Sequence, residues 1–167
     1  MIYAPSVKCF ANNDMVSLNK LISKSISLLM ISFTGLTIAC WLCAPTVFSY
    51  FLPERFISAT PFFNVLMLSS IVLPLTLLST TISASGKPEI VAKYILYSLA
   101  TWIVSFYIIG NFLQNYEILV AVPNFIFNLI LAVFLFRYAS KHYNLRFRQL
   151  FRSIPDFYYF ILQKIKK

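Results

Sequence analysis

The sequence predicts an all-α, polytopic membrane protein with four transmembrane helices and flanking amphipathic helices. Two observations predict this class: the composition of the chain and the spacing of its charged residues. Of the 167 residues, 59% are hydrophobic and 11% are charged, whereas a soluble domain has roughly 45–50% and about 25%. A soluble fold of this size has too little interior to bury so much apolar surface, so lipid is the expected solvent.

The charged residues divide the chain into segments of the length that a membrane span needs. Stretches without Asp, Glu, Lys or Arg cover residues 25–53, 56–86, 94–116 and 118–136. Because about 20 helical residues cross roughly 30 Å of hydrocarbon, each stretch holds one span. We predict spans at residues 25–49, 61–83, 93–112 and 118–136. Pro45 and Pro74 fall within or near span ends, where kinks are tolerated if neighbours satisfy the freed carbonyl. Pro123 lies in the first turns of the fourth span, which suits proline better.

The basic residues predict the orientation of these spans. Thirteen of the 14 Lys and Arg residues lie before the first span, between the second and third spans, or after the fourth, and Arg55 alone lies in the opposite loops. Cytoplasmic segments carry an excess of Lys and Arg, so we expect both ends in the cytoplasm and the chain in the inner (plasma) membrane. The net charge of +9 then serves contact with anionic lipid rather than with nucleic acid.

The two flanks of the span region are predicted to lie on the membrane surface. We divide the chain into a cytoplasmic lead-in with an amphipathic helix (1–24), the four-helix transmembrane region (25–136) and a basic cytoplasmic tail (137–167). Residues 12–14 offer helix-capping side chains. An apolar stripe of Leu18, Leu21, Ile22 and Ile26 predicts an interfacial helix that leads into the first span, with a simple polar lead-in as the alternative. In the tail, an amphipathic helix is predicted from Ile154 onward.

Catalytic chemistry is not indicated. The interiors of the predicted spans contain no Asp, Glu, Lys, Arg or His, and enzymes or proton relays in membranes usually need one despite an insertion cost of about 2.5–3.5 kcal/mol. Cys40 and Cys43 match C-x-x-C, but they lie in an apolar run far from His142, the single histidine. We therefore interpret both cysteines as packing residues and expect no enzyme activity, no cofactor and no metal.

Polar uncharged residues are the remaining candidates for a functional site. Asn124 and Asn128 are four residues apart and share one helix face. Asn64 lies one turn into the second span, and Thr80 and Thr81 lie near its other end. These five side chains could line a hydrophilic path for a sugar chain. The alternative is hydrogen bonding between helices, worth about 0.6 kcal/mol per bond on average.

Three loop patterns, made up of six short segments, resemble one family of transporters. A cytoplasmic loop pattern appears at residues 3–8 (YAPSVK), 11–14 (ANND) and 18–25 (LNKLISKS). An outer loop pattern appears at 51–56 (FLPERF) and 59–66 (ATPFFNVL), and a Gly-Lys turn at 84–89 (ASGKPE). Their order and spacing over residues 2–136 resemble the O-antigen and exopolysaccharide flippases of the multidrug/oligosaccharidyl-lipid/polysaccharide exporter superfamily.

The resemblance implies a function in polysaccharide biosynthesis. Members of this family have two pseudo-symmetric lobes and move undecaprenyl-diphosphate-linked oligosaccharide across the membrane by alternating access. The chain would correspond to the last four helices of the second lobe, as a fragment of a longer carrier with the missing lobe or other glycan-assembly proteins as partners. The basic cavity residues of the family have no counterpart in these spans, so no substrate-contacting residue is transferred. The alternatives are a self-contained four-helix membrane scaffold, a fragment of a sugar-transfer enzyme and a lobe of a drug exporter.

Overall fold

The computed structural model describes residues 3–51, 53, 59–112, 119 and 121–145 and confirms the all-α membrane class. A 3-10 segment, Leu73–Leu77, joins the third and fourth of six α-helices. The helices are α1 (Tyr3–Ala11), α2 (Met15–Phe51), α3 (Thr60–Val72), α4 (Leu78–Ala84), α5 (Pro88–Phe112) and α6 (Val122–Tyr143). The stretches long and apolar enough to cross a membrane are Met15–Phe51, Thr60–Ala84, Pro88–Asn111 and Val122–Tyr143. These four spans are the four that the charge spacing predicts, with different ends.

Helix α2 begins with a side-chain cap, as predicted for residues 12–14. The Asp14 carboxylate accepts a hydrogen bond from the Ser17 backbone N–H over 3.0 Å. Hydrogen bonds from the Ser17 hydroxyl and backbone lower the pKa of Asp14, since they stabilise its ionised form. From this cap the helix runs for 37 residues, or about 55 Å. No break separates the predicted lead-in from the first span.

Three of the four residues in the apolar stripe at the start of α2 face protein, while Leu21 is partly buried; the interfacial interpretation placed this face on lipid. Leu18, Ile22 and Ile26 are at most 2% exposed and belong to one cluster with Leu78 of α4 and Leu135 of α6. The amphipathic pattern was therefore recognised correctly, but its apolar face is covered by other helices. The helical periodicity of apolar residues indicates that one helix face is buried, but it does not distinguish burial in lipid from burial against protein.

The second span is a helix of two parts. Leu73–Leu77 is a 3-10 turn with Pro74 in its first positions, because proline has no N–H to donate and its ring clashes with the carbonyl four residues earlier. The helix thus tightens at Pro74. Pro61 and Pro123 lie in the first turns of α3 and α6, where a missing N–H leaves no bond unmade.

The ends of the third and fourth spans differ from the prediction. Helix α5 starts at Pro88 rather than residue 93, and α6 continues to Tyr143, seven residues beyond the predicted end at Phe136. Arg137 and Lys141 lie inside α6 because basic side chains near a helix C-terminus interact favourably with its dipole and can extend toward water. Helix α6 thus runs past residue 137, where the predicted basic tail begins. The tail helix predicted from Ile154 lies outside the described residues.

Three turns with left-handed backbone lie at one end of the bundle, which we call the turn end. They are Asn13 (φ 53°) between α1 and α2, Gly86 (φ 80°) between α4 and α5, and Asn144 (φ 53°) after α6. The opposite end, where α2 and α5 finish and α3 and α6 begin, is the loop end. Two bonds show that α3–α4 and α6 run parallel: Asn124 to Ser69 near the loop end, and Tyr143 to Ser85 at the turn end.

Packing and charge both distinguish the two ends. The helices lie in the order α2, α3, α6, α5, with α1 packed against α2 and α4. The fully buried Leu and Ile side chains of the described ranges all lie toward the turn end: Leu18, Ile22, Ile26, Leu78, Ile82, Leu135 and Leu145. The basic residues of those ranges also lie toward the turn end: Lys8, Lys20, Lys24, Lys87, Lys93, Arg137 and Lys141.

Candidate functional site

A row of polar contacts crosses three helices in the loop half of the bundle. Helix α6 begins at Val122 and Pro123, so Asn124 lies in its first turn. The Asn124 amide nitrogen donates to the Ser69 hydroxyl of α3 over 3.3 Å. The Thr37 hydroxyl of α2 donates to the Phe33 carbonyl of its own helix at 2.8 Å and lies 3.4 Å from the Met67 carbonyl of α3. We call Thr37, Ser69 and Asn124 the polar seam. It joins α2, α3 and α6 by polar contacts within an otherwise apolar interior.

The other two predicted asparagines lie near the seam but make different bonds. The Asn128 amide donates to the Asn124 carbonyl one turn earlier, at 3.0 Å, and so bonds within α6. The Asn64 backbone carbonyl accepts a bond from the Trp41 indole N–H at 3.0 Å. The Asn64 side-chain oxygen is buried and finds no hydrogen-bond partner among the described residues. A buried acceptor of this kind would gain from a hydroxyl or water donor.

The two predicted threonines are not brought to the seam. The Thr80 hydroxyl donates to the Leu77 carbonyl at 2.7 Å, and Thr81 is 1% exposed near the turn end. Eleven residues separate Ser69 from Thr80, which is about 16 Å along a helix. The structure therefore joins Asn128 to Asn124 within α6, places Asn64 of α3 against Trp41 of α2, and leaves Thr80 and Thr81 apart from the seam.

A small cleft between α5 and α6 opens beside the seam. It has a volume of about 240 Å³ and is lined by Leu99, Trp102, Asn124 and Phe127. Trp102 stacks on Phe106 of the same helix, with ring centroids 5.5 Å apart. The cleft thus combines an aromatic wall with an exposed side-chain amide. Pockets of this composition bind ligands by apolar contact and orient them through a few polar groups.

Sequence reasoning missed the partners that complete this region. Ser69 and Thr37 are two of several Ser and Thr residues in their helices, and no spacing rule pairs them with Asn124 across helices. One feature of the sequence could have identified Trp102: it lies four residues before Phe106, so the two rings share one face of α5. The pairing of α5 with α6, which places Trp102 beside Asn124, depends on tertiary packing that the pattern of a single helix does not specify.

Metal-ligating and thiol chemistry find no support in the part of the chain that the structure describes. No group of three His, Cys, Asp or Glu side chains converges there. Cys40 and Cys43 are both free thiols on α2, the first half-buried and the second exposed. What these residues offer a ligand is apolar contact and amide hydrogen bonds.

Comparisons with known proteins give no relative for the chain. No family model, no curated protein and no solved structure matches it. The resemblance to the polysaccharide flippases therefore stays a prediction, while the structure shows an all-α fold with four helices long and apolar enough to cross a membrane.

Proposed function

We propose that the chain is the C-terminal part of a polysaccharide flippase, which translocates undecaprenyl-diphosphate-linked oligosaccharide across the inner membrane for O-antigen or exopolysaccharide biosynthesis. The observation that carries the proposal is the cleft that holds Trp102 and the exposed amide of Asn124. Apolar faces of sugar rings pack on aromatic side chains, and sugar hydroxyls both donate to and accept from amides. The cleft offers both kinds of contact within a membrane-spanning region.

The exposure of Asn124 supports a position beside water or protein rather than lipid. The Asn124 amide nitrogen donates to Ser69, but its second N–H and its oxygen also need partners. A polar group left without a partner in an apolar medium costs roughly 2–7 kcal/mol depending on the reference. Polar side chains in spans accordingly face a bundle interior or a water-filled cavity. In the proposed carrier, the cleft is one wall of the central path, and the missing lobe supplies the opposite wall.

The proposed mechanism requires no covalent step. Transporters of this architecture move one lobe against the other around a site near the middle of the membrane. In this chain, the turn-end core of Leu78, Ile82 and Leu135 would keep α2, α4 and α6 together as one body. The basic residues at the turn end would then lie on the cytoplasmic side, in contact with anionic lipid.

A genetic experiment tests the proposal. The genomic sequence upstream of the Met1 codon should contain a frame rich in apolar spans that joins this chain directly or through one frameshift. The joined protein should restore surface polysaccharide in a flippase-deficient strain. Asn124→Leu should lower that restoration more than the matched variant Asn128→Leu, whose amide bonds only within its own helix. Trp102→Leu should lower it as well.

Two results would contradict the proposal. One is a ribosome-binding site directly before Met1 with no upstream frame, which would favour the self-contained membrane scaffold. The other is full restoration by Asn124→Leu and Trp102→Leu at the protein level of the unmodified carrier, because neither side chain would then contact the substrate.

A further inference from the structure

An apolar groove lies on the opposite side of α6 from the cleft, between α2, α3 and α6. It has a volume of about 520 Å³. One wall is formed by Leu129, Val133 and Arg137 of α6, which are four residues apart and share one face of the helix. Val72 and Leu75 lie on the facing wall. Apart from Arg137 and a serine at one end, the lining is apolar.

The length of the groove matches the depth of one membrane leaflet. Its lining on α6 runs from Leu129 to Ser140, which is eleven residues or about 16 Å along the axis. Half of a hydrocarbon core of about 30 Å is about 15 Å. An acyl chain that starts at the membrane surface would therefore reach the far end of the groove at the middle of the bilayer.

Among the described residues that line the groove, Arg137 is the one cation, and it lies at the end toward the turn end. Arg137 is exposed, and Lys141 follows it one turn later on the same face of α6. Helix α6 contains no Asp or Glu. The Ser140 hydroxyl donates to the Leu145 carbonyl at 2.6 Å, so its one proton is not available for a hydrogen bond to an anion. The guanidinium of Arg137 is thus the group at this rim suited to an anion, and its planar fork matches phosphate oxygens.

We infer that this groove binds one acyl chain of an anionic glycerophospholipid of the bilayer, with the lipid phosphate on Arg137. Charge complementarity favours lipid over a second copy of the chain. A packed helix would remove the Arg137 guanidinium from water and would need a carboxylate opposite it. In a symmetric pair of copies the groove would meet the same lining, which contains Arg137 and no Asp or Glu. A phospholipid supplies the apolar chain and the anion in one molecule.

The inference is independent of the proposed function, and native mass spectrometry of the full chain in detergent tests it. Phosphatidylglycerol and phosphatidylcholine with identical acyl chains are titrated separately, and the bound fraction gives an affinity for each. Arg137→Gln should weaken phosphatidylglycerol binding about fivefold, as expected for the loss of one basic residue worth about 1 kcal/mol. Lys93→Gln, which removes an exposed cation of α5 outside the groove, should leave the affinity unchanged.

A second pair of variants tests the groove itself. Val133 is 52% exposed in the groove, and Val104 is 55% exposed on α5, so a tryptophan at either position leaves the core intact. Val133→Trp should fill the groove and weaken binding of both lipids, whereas Val104→Trp should weaken neither. Equal helix content by far-UV circular dichroism confirms that the variants are folded.

Several outcomes would overturn the inference. Equal effects of Arg137→Gln and Lys93→Gln would indicate general attraction to the basic end of the bundle. Equal effects of Val133→Trp and Val104→Trp would show that no chain enters the groove. A dimer that Val133→Trp alone disrupts would assign the groove to a second copy. Tighter binding of undecaprenyl phosphate than of phosphatidylglycerol would assign it to a polyprenyl lipid instead.

Discussion

Leu78→Ala tests whether the turn-end core holds the bundle together. Leu78 lies on α4, is 0% exposed and belongs to the cluster with Leu18, Ile22 and Leu135. In a soluble core, Leu→Ala costs about 2.7–5.0 kcal/mol, which includes the transfer of the lost carbons to water as well as the cavity left behind. Three carbons at about 0.8 kcal/mol each make up about 2.4 kcal/mol of that cost.

Lipid changes this magnitude. Hydrocarbon surrounds the side chain in both the associated and the separated state of the helices, so the transfer contribution largely disappears and packing contacts remain. Subtracting it leaves roughly 0.3–2.6 kcal/mol, and we expect a loss near 1.5 kcal/mol. Leu96→Ala on α5 is the matched control, because Leu96 is 64% exposed and should lose close to nothing.

The assay for this pair is unfolding in bicelles by titration with sodium dodecyl sulfate, followed by far-UV circular dichroism. The difference between the two variants is the quantity of interest, since both remove the same atoms. A loss above about 3 kcal/mol for Leu78→Ala would show that the transfer contribution persists. Equal losses for the two variants would refute the packed core itself.

The remaining predictions concern turns, seam and cap. Gly86→Ala should destabilise the chain by about 1–2 kcal/mol, because Gly86 has a φ of 80°. Gly110→Ala, inside α5, should instead stabilise the chain by about 0.5–1 kcal/mol. The sodium dodecyl sulfate titration measures both. Asn124→Ala should lower the free energy of unfolding by about 0.6 kcal/mol, because the bond to α3 is lost, whereas Asn128→Ala should leave it almost unchanged. Equal unfolding midpoints for these two variants would contradict this prediction. The lowered pKa of Asp14 means that its stabilising contribution is complete above the usual carboxyl pKa near 3.8 and is lost as the pH falls through the lower folded value. Asp14→Asn should remove that acid dependence, and an unchanged profile would show that the cap does not titrate with folding.

The number and position of the spans could be predicted from sequence because lipid imposes a simple requirement. A helix that crosses hydrocarbon must be long and uncharged, so the gaps between charged residues identify each span. Their ends were less predictable. Arg137 and Lys141 were predicted to begin the cytoplasmic tail, whereas they lie within α6. Long basic side chains reach water from the last turns of a helix, so their charge does not end it.

The contacts between helices could not be predicted from a single sequence. The stripe of Leu18, Ile22 and Ile26 indicated a buried face, but the choice between lipid and α4 depends on the fold. Asn124 was identified as a polar candidate from its position, whereas its partner Ser69 was not. Fifty-five residues separate the two, and nothing local to either residue selects the other.

Labelling of substituted cysteines tests the four-span membrane fold most directly. In a chain with Cys9, Cys40 and Cys43 replaced by serine, single cysteines at Asn13, Gly86 and Asn144 mark the turn end, and those at Pro53 and Leu119 mark the loop end. A membrane-impermeant maleimide should label the first three positions from one side of the membrane and the last two from the other. Labelling of Asn13→Cys and Gly86→Cys from opposite sides of the membrane would contradict the four-span fold.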